Sequence, residues 1–96
     1  MKFQTGPLVQ TAGIAQEISD NAKFATQDYA SLNRYVQGDW GDLCDEDKEM
    51  NNQAVKSNED RILAAYNLNT ADGTKKIYII TEWDRSVTTI LFANEY

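Results

Sequence analysis

The stretch Ile77-Tyr-Ile-Ile-Thr-Glu-Trp-Asp-Arg-Ser-Val-Thr-Thr-Ile-Leu-Phe92 decides the fold. Two runs of β-branched and aromatic residues flank a polar break at Asp84-Arg85-Ser86. Branched and flat side chains pack well on a pleated surface, so the stretch reads as a β-hairpin. Strand alternation places Ile77, Ile79, Thr81 and Trp83 on one face and Tyr78, Ile80 and Glu82 on the other. Both faces are partly apolar, which calls for helices over one and for loops or a partner over the other.

Upstream of the hairpin, Arg61-Ile-Leu-Ala-Ala-Tyr66 suits either the last turns of a helix or a strand. Its alanines favour helix locally. The turn-rich Asn67–Thr74 that follows, with Asp72-Gly73, favours a strand entering a turn. Strands at 61–67, 75–83 and 87–93 then form an antiparallel meander.

Helical periodicity dominates the N-terminal half. Residues Met1–Gln10 contain Gly6-Pro7 and no helical period, which leaves a short edge strand or extended lead-in around Leu8-Val9-Gln10. Thr11 suits an N-cap, with Ile14, Ala15 and Ile18 on one side of a short helix. Asp20 suits the cap of a second helix over 21–36, whose apolar stripe is Ala25, Tyr29, Leu32 and Val36, widened by Phe24 and Tyr35. Gln27, Asp28, Asn33 and Arg34 would then face water, and Gly38 would end the helix. A third helix is expected over 45–57, capped by Cys44 or Asp45, with Asp45, Glu46 and Asp47 where the helix dipole favours negative charge. Met50, Ala54 and Val55 give it only a thin apolar edge. The expected architecture is α+β: N-terminal helices packed on a small three-stranded antiparallel C-terminal sheet, in one domain over residues 1–96.

Composition restricts the chemistry. The chain of 96 residues has no histidine and one cysteine, Cys44. His-dependent triads, His-based zinc sites and thiolate clusters are thereby excluded. A lone cysteine, no apolar run of membrane-spanning length and no signal-peptide core point to the cytoplasm. The net charge of −6 is concentrated: Gln37–Asp60 carries eight acids and two bases, 2 − 8 = −6, and the remainder balances. Such a surface repels phosphate backbones, so direct nucleic-acid binding is disfavoured and a basic protein partner is favoured.

Several constellations invite chemical readings. Asp39, Asp42, Asp45 and Asp47 suggest calcium, but an EF-hand loop starting at Asp39 would place Gly41 and Leu43 at ligand positions, so no metal is assigned. Glu82 and Asp84 could act as an acid–base pair, although Asp84 and Ser86 suit turn formation and Arg85 suits pairing with a neighbouring carboxylate. Thr88 and Thr89 read as strand formers. No phosphate loop, nucleophile elbow or CxxC motif occurs, and no cofactor is expected. In Gly38-Asp-Trp-Gly-Asp-Leu43, Trp40 is either a core anchor or an interface aromatic.

Three blocks carry a resemblance: Gly38–Leu43, Arg61–Tyr66, and Ile79–Phe92 with the ending Asn94-Glu-Tyr96. Together they resemble a family of small bacterial proteins carried on plasmids and other mobile elements, usually called plasmid-related, whose function is uncharacterised. Some members carry a label linking them to type I restriction-modification subunits. The resemblance covers about two-thirds of the chain and implies no catalytic residues. Members often have a basic residue followed by histidine where this chain has Arg34-Tyr35, a departure that argues further against histidine chemistry.

These readings converge on a non-enzymatic binding protein from a mobile element, inhibiting a host defence nuclease by an anti-CRISPR or anti-restriction action. The expected partner face is Asp39, Trp40, Asp42, Asp45, Glu46, Asp47 and Glu49. The alternative is a structural or regulatory module that binds through a sheet edge or exposed aromatics. A small enzyme using Glu82, Asp84 or a tyrosine is a third class.

Overall fold

The computed structural model describes residues 2–96. Its elements run β1 (Leu8–Gln10), α1 (Ala12–Asp20), α2 (Ala22–Val36), α3 (Asp45–Ser57), β2 (Ile62–Thr70), β3 (Gly73–Thr81), β4 (Thr88–Phe92) and a closing 3₁₀ turn, Ala93–Glu95. The sheet is four-stranded and mixed, in the order β1-β4-β3-β2, with β1 parallel to β4 and the other pairs antiparallel. This corrects the expected three-stranded antiparallel sheet, and α3 lies in the middle of the chain rather than at its N-terminal end. The fourth strand is three residues long. It is the short edge strand expected as one reading of Leu8-Val9-Gln10; its parallel pairing with β4 is what no local periodicity can reveal.

One face of the sheet carries Ile62, Ala64, Tyr66 and Leu68 from β2, Ile77, Ile79 and Thr81 from β3, and Thr88 and Ile90 from β4. These apolar side chains join Phe3, Ile14, Phe24, Tyr35 and Trp40 in one core. The β2–β3 turn is tighter than expected, with Thr70 paired to Gly73. Strand β3 ends at Thr81, so Trp83 does not share its face. The tryptophan sits exposed in the loop that follows.

Helix α1 is capped by the Thr11 side chain, which accepts from the Ile14 N–H. Asn21, not Asp20, caps α2: its Oδ1 accepts from the Lys23 and Phe24 amides, while its own N–H closes α1 on the Glu17 carbonyl. The buried stripe of α2 also differs from the one expected. Phe24, Asp28, Ser31 and Tyr35 face inward, and Tyr29 is exposed. This overturns the placement of Asp28 in water and Tyr29 in the stripe. Two rings as large as Phe24 and Tyr35 at the ends of the helix set its rotation. Ser31 fits because its hydroxyl bonds back to the Gln27 carbonyl at 2.9 Å. The helix ends in a Schellman motif, with Asp39 N–H on the Arg34 carbonyl, Gly38 N–H on the Tyr35 carbonyl, and Gly38 at φ +86°.

The two buried threonines of the hairpin are polar links rather than filler. Tyr35 Oη lies 2.6 Å from Thr81 Oγ1, which lies 2.7 Å from Thr88 Oγ1, whose hydroxyl donates to the Thr5 carbonyl at 2.6 Å. The terminal carbonyl can only accept, so the whole chain is ordered: Tyr35 donates to Thr81, and Thr81 donates to Thr88. Helix α2, the hairpin and the N-terminal arm are thereby joined by satisfied buried hydroxyls. Burial pushes the Tyr35 phenol well above its ordinary pKa and keeps it a donor.

Arg85 holds the loop between Thr81 and Thr88 against α3. Its guanidinium is buried and donates to the main-chain carbonyls of Asp60, Glu82, Trp83 and Ala54. Among the described residues no carboxylate pairs with it, contrary to the sequence expectation. The Ala54 carbonyl belongs to the last turn of α3, where the helix dipole favours a cation.

Candidate functional site: an acid-rimmed groove beside a closed sheet edge

A sheet edge exposes main-chain donors and acceptors at alternate residues. On β2 three such residues are satisfied by other parts of the chain. Asn51 of α3 donates to the Leu63 carbonyl at 2.8 Å and accepts from the Leu63 N–H at 3.2 Å. Ala65 donates to the Trp40 carbonyl and accepts from the Asp42 N–H. Gln27 of α2 makes the same two-bond pattern with Asn69. Two side-chain amides and one loop thus stand in for a neighbouring strand.

The Gly38–Leu43 block is that loop. Gly41 bridges Ala65 at φ +75°, and a Cβ there would lie 2.0 Å from the Ala65 carbonyl oxygen. Only glycine fits. Trp40 is 3% exposed, packs against Phe3 and Tyr35, and donates its indole N–H to Asn52. It is therefore a core anchor, absent from any exposed face. Asp39 is ion-paired with Arg34 at 2.7 Å, and that guanidinium holds its carboxyl below the usual range. The Asp39 carbonyl also accepts from the Tyr66 hydroxyl. Asp42 accepts from the Asn67 amide and lies 3.6 Å from Lys76, and both hold its carboxyl low. These two acids serve the edge-covering loop.

The remaining predicted acids lie on α3. Asp45, Glu46 and Asp47 occupy its first turn behind the N-cap Cys44, and all three are exposed. Glu46, Met50 and Gln53 recur at i, i+4 and i+7 and share a side of the helix. Because Asn51 binds the edge of β2 at Leu63, that side overhangs the start of the strand. Between them runs a groove of about 750 Å³. Leu43, Met50 and Leu63 supply its apolar surface; Glu46, Asp47, Glu49 and Asp60 rim it with carboxylates, and Arg61 is its one cation. Its formal charge is 1 − 4 = −3. Arg61 is engaged by the Tyr96 hydroxyl at 2.6 Å and by the Tyr96 ring. Glu49 accepts from Gln53 and Asn52, which lower its pKa. Met50 is 69% exposed at the groove.

The structure thus brings Glu46, Asp47 and Glu49 together in this groove and leaves Asp39, Trp40, Asp42 and Asp45 outside its lining, although Trp40 and Glu49 share a smaller cavity with Asn52. Sequence reasoning missed Leu43, Leu63, Asp60 and Arg61, because the groove forms only when α3 docks on β2. The signal that was available is the 46/50/53 spacing. Glu82 and Asp84 are exposed in the hairpin loop, where Asp84 accepts from the Ser86 N–H and is held low by it. Among the described residues no three carboxylates or thiols converge on a point that could hold a metal ion. None of their helices is long and apolar enough to cross a membrane.

Fold and groove define a small α+β domain with an anionic, apolar-floored cleft. The chain matches no protein-family model, no curated protein and no solved structure.

Proposed function

We propose that this is a small, acidic, non-enzymatic binding protein that engages a basic protein partner through the α3–β2 groove. The observation that carries this reading is the pairing of an apolar floor, Leu43, Met50 and Leu63, with a carboxylate rim. A cationic amphipathic segment meets both demands: its apolar side chains cover the floor and its lysines or arginines meet the rim. Charge would steer the encounter, and burial of Met50 would retain the partner. Groove residues offer no nucleophile–base arrangement, so the site suits binding rather than turnover.

Nuclease complexes that hold nucleic acid expose basic grooves, and the resemblance to mobile-element proteins favours a host defence nuclease, CRISPR or restriction, as the target in the cytoplasm. The direct test is cleavage by such nucleases with and without the protein. Wild-type protein is expected to inhibit at least one of them. The triple reversal Glu46→Lys, Asp47→Lys, Glu49→Lys is expected to lose at least about 2 kcal/mol of binding, roughly thirtyfold. Inhibition that survives the reversal would refute the groove as the binding site.

A second reading, a regulatory interaction module, rests on the exposed Trp83 in the hairpin loop. Binding that resists salt and is lost in Trp83→Ala would favour it.

A further inference from the structure

The two edges of the sheet are treated differently. At β2, three of the four outward-facing residues, Leu63, Ala65 and Asn69 but not Asn67, have their main-chain groups occupied by Asn51, the Trp40–Asp42 loop and Gln27. At β1, the bonds from Thr88 N–H to the Pro7 carbonyl and from Thr11 N–H to the Ile90 carbonyl fix the alternation. Residues 7, 9 and 11 face β4, while Leu8 and Gln10 direct their N–H and C=O outward. Among the described residues no hydrogen bond reaches those four groups.

The surroundings of this open edge are apolar and uncharged. Leu8 and Val9 are 49% and 46% exposed. Leu8 borders a groove of about 210 Å³ with Tyr29, Leu32 and Val36 of α2, and Tyr29 is itself exposed. From Phe3 to Gln16 the sequence has no charged residue, the longest such run in a chain that is one-quarter charged. Edge strands that must stay solitary commonly carry a lysine, an inward charge or a covering element. This strand has only its brevity and Pro7.

We infer that β1 is a self-association edge, and that its occupant is β1 of a second copy of this chain, paired antiparallel about a two-fold axis at Val9. The geometry is self-complementary. With Val9 opposite Val9 of the second copy, each Leu8 faces a Gln10, and these are the residues with outward main-chain groups. Four hydrogen bonds close the seam, and the two valines meet as the close, non-hydrogen-bonded pair. Charge permits this occupant: the net −6 of each chain is concentrated in Gln37–Asp60, and the uncharged β1 edge lets two copies meet without opposed carboxylates. Leu8 lies on the helix-bearing face in register with Thr88, so both Leu8–Tyr29 grooves fall on the same side of the continuous eight-stranded sheet. The α3–β2 groove lies at the opposite edge of each copy and stays open.

Sedimentation equilibrium of the full chain tests this. Wild-type protein is expected to show a concentration-dependent monomer–dimer equilibrium. Val9→Lys and Val9→Glu place like charges opposite each other, and each is expected to weaken the dimer by about tenfold or more. An equimolar mixture of the two is expected to restore a heterodimer, a result that depends on the Val9–Val9 register. In parallel, hydrogen exchange at the Leu8 and Gln10 amides of wild-type protein must slow as the protein is concentrated, which needs no variant. A wild-type chain that stays monomeric up to millimolar concentration overturns the inference and leaves the edge to an extended segment of another protein. A dimer indifferent to Val9→Lys, or folded single variants that fail to re-pair, overturns the register.

Discussion

Among the described residues, Arg85 and Asp28 are the two buried charged side chains with an unpartnered polar atom, Arg85 at Nε and Asp28 at Oδ1. Their situations are opposite. The Arg85 guanidinium bonds four carbonyls drawn from three segments, so its charge is solvated by main-chain dipoles. Arg85→Ala is expected to destabilise the fold by about 3 kcal/mol, read by chemical denaturation, because charge-assisted bonds are lost and carbonyls are left buried. Arg85→Lys should recover little of this, since an ammonium cannot reproduce the planar fork. Asp28 instead suffers from burial, which raises its pKa. A raised carboxyl pKa means the folded state binds the proton more tightly than the unfolded one. Stability from this group is therefore full below the unfolded pKa, near 4, and is lost as pH rises through the folded value. Asp28→Asn is expected to stabilise the protein by about 1 kcal/mol at neutral pH, with the gain vanishing in acid; thermal melts across pH check it. A gain that grows in acid would contradict this sign.

At the scale of elements, the hairpin was legible because Ile77–Thr81 and Thr88–Phe92 announce strands by composition alone. Helix α3 was legible to its ends, 45–57, from its acidic first turn. What was hidden in each case depends on contacts distant in sequence. Strand β1 was legible as an edge strand in one reading of Leu8–Gln10, but its place beside β4, parallel to it, was not. The rotation of α2 follows from the burial of Phe24 and Tyr35, whereas the apolar count favoured a stripe through Tyr29. Trp40 and Gly41 stood out as a block, but their role needs Ala65, more than twenty residues away, to be visible. Of the seven residues expected to form the partner face, Glu46, Asp47 and Glu49 line one groove, and only the docking of α3 shows why. Asn51 is central to that docking. Asn51→Leu keeps the branched shape but removes both bonds to Leu63, and it is expected to cost about 2–3 kcal/mol and to promote aggregation through the opened β2 edge. Unchanged stability with no rise in light scattering would show that the edge is covered by other means.

For the molecule as a whole, charge and apolar surface are segregated. The acids gather on and around α3, while the opposite sheet edge is neutral; the proposed foreign partner and the proposed second copy would therefore engage opposite edges of the sheet. Binding at the groove should weaken as ionic strength rises, whereas pairing at β1 should not. The most direct test of the groove is a methyl NMR titration with a synthetic amphipathic helix of leucines and lysines, at low and at high salt. The account predicts that the methyl signals of Leu43, Met50 and Leu63 shift together at low salt, that the shifts diminish at high salt, and that Glu46→Lys, Asp47→Lys, Glu49→Lys abolishes them. Shifts absent from those three residues, or unchanged in the triple variant, would contradict it.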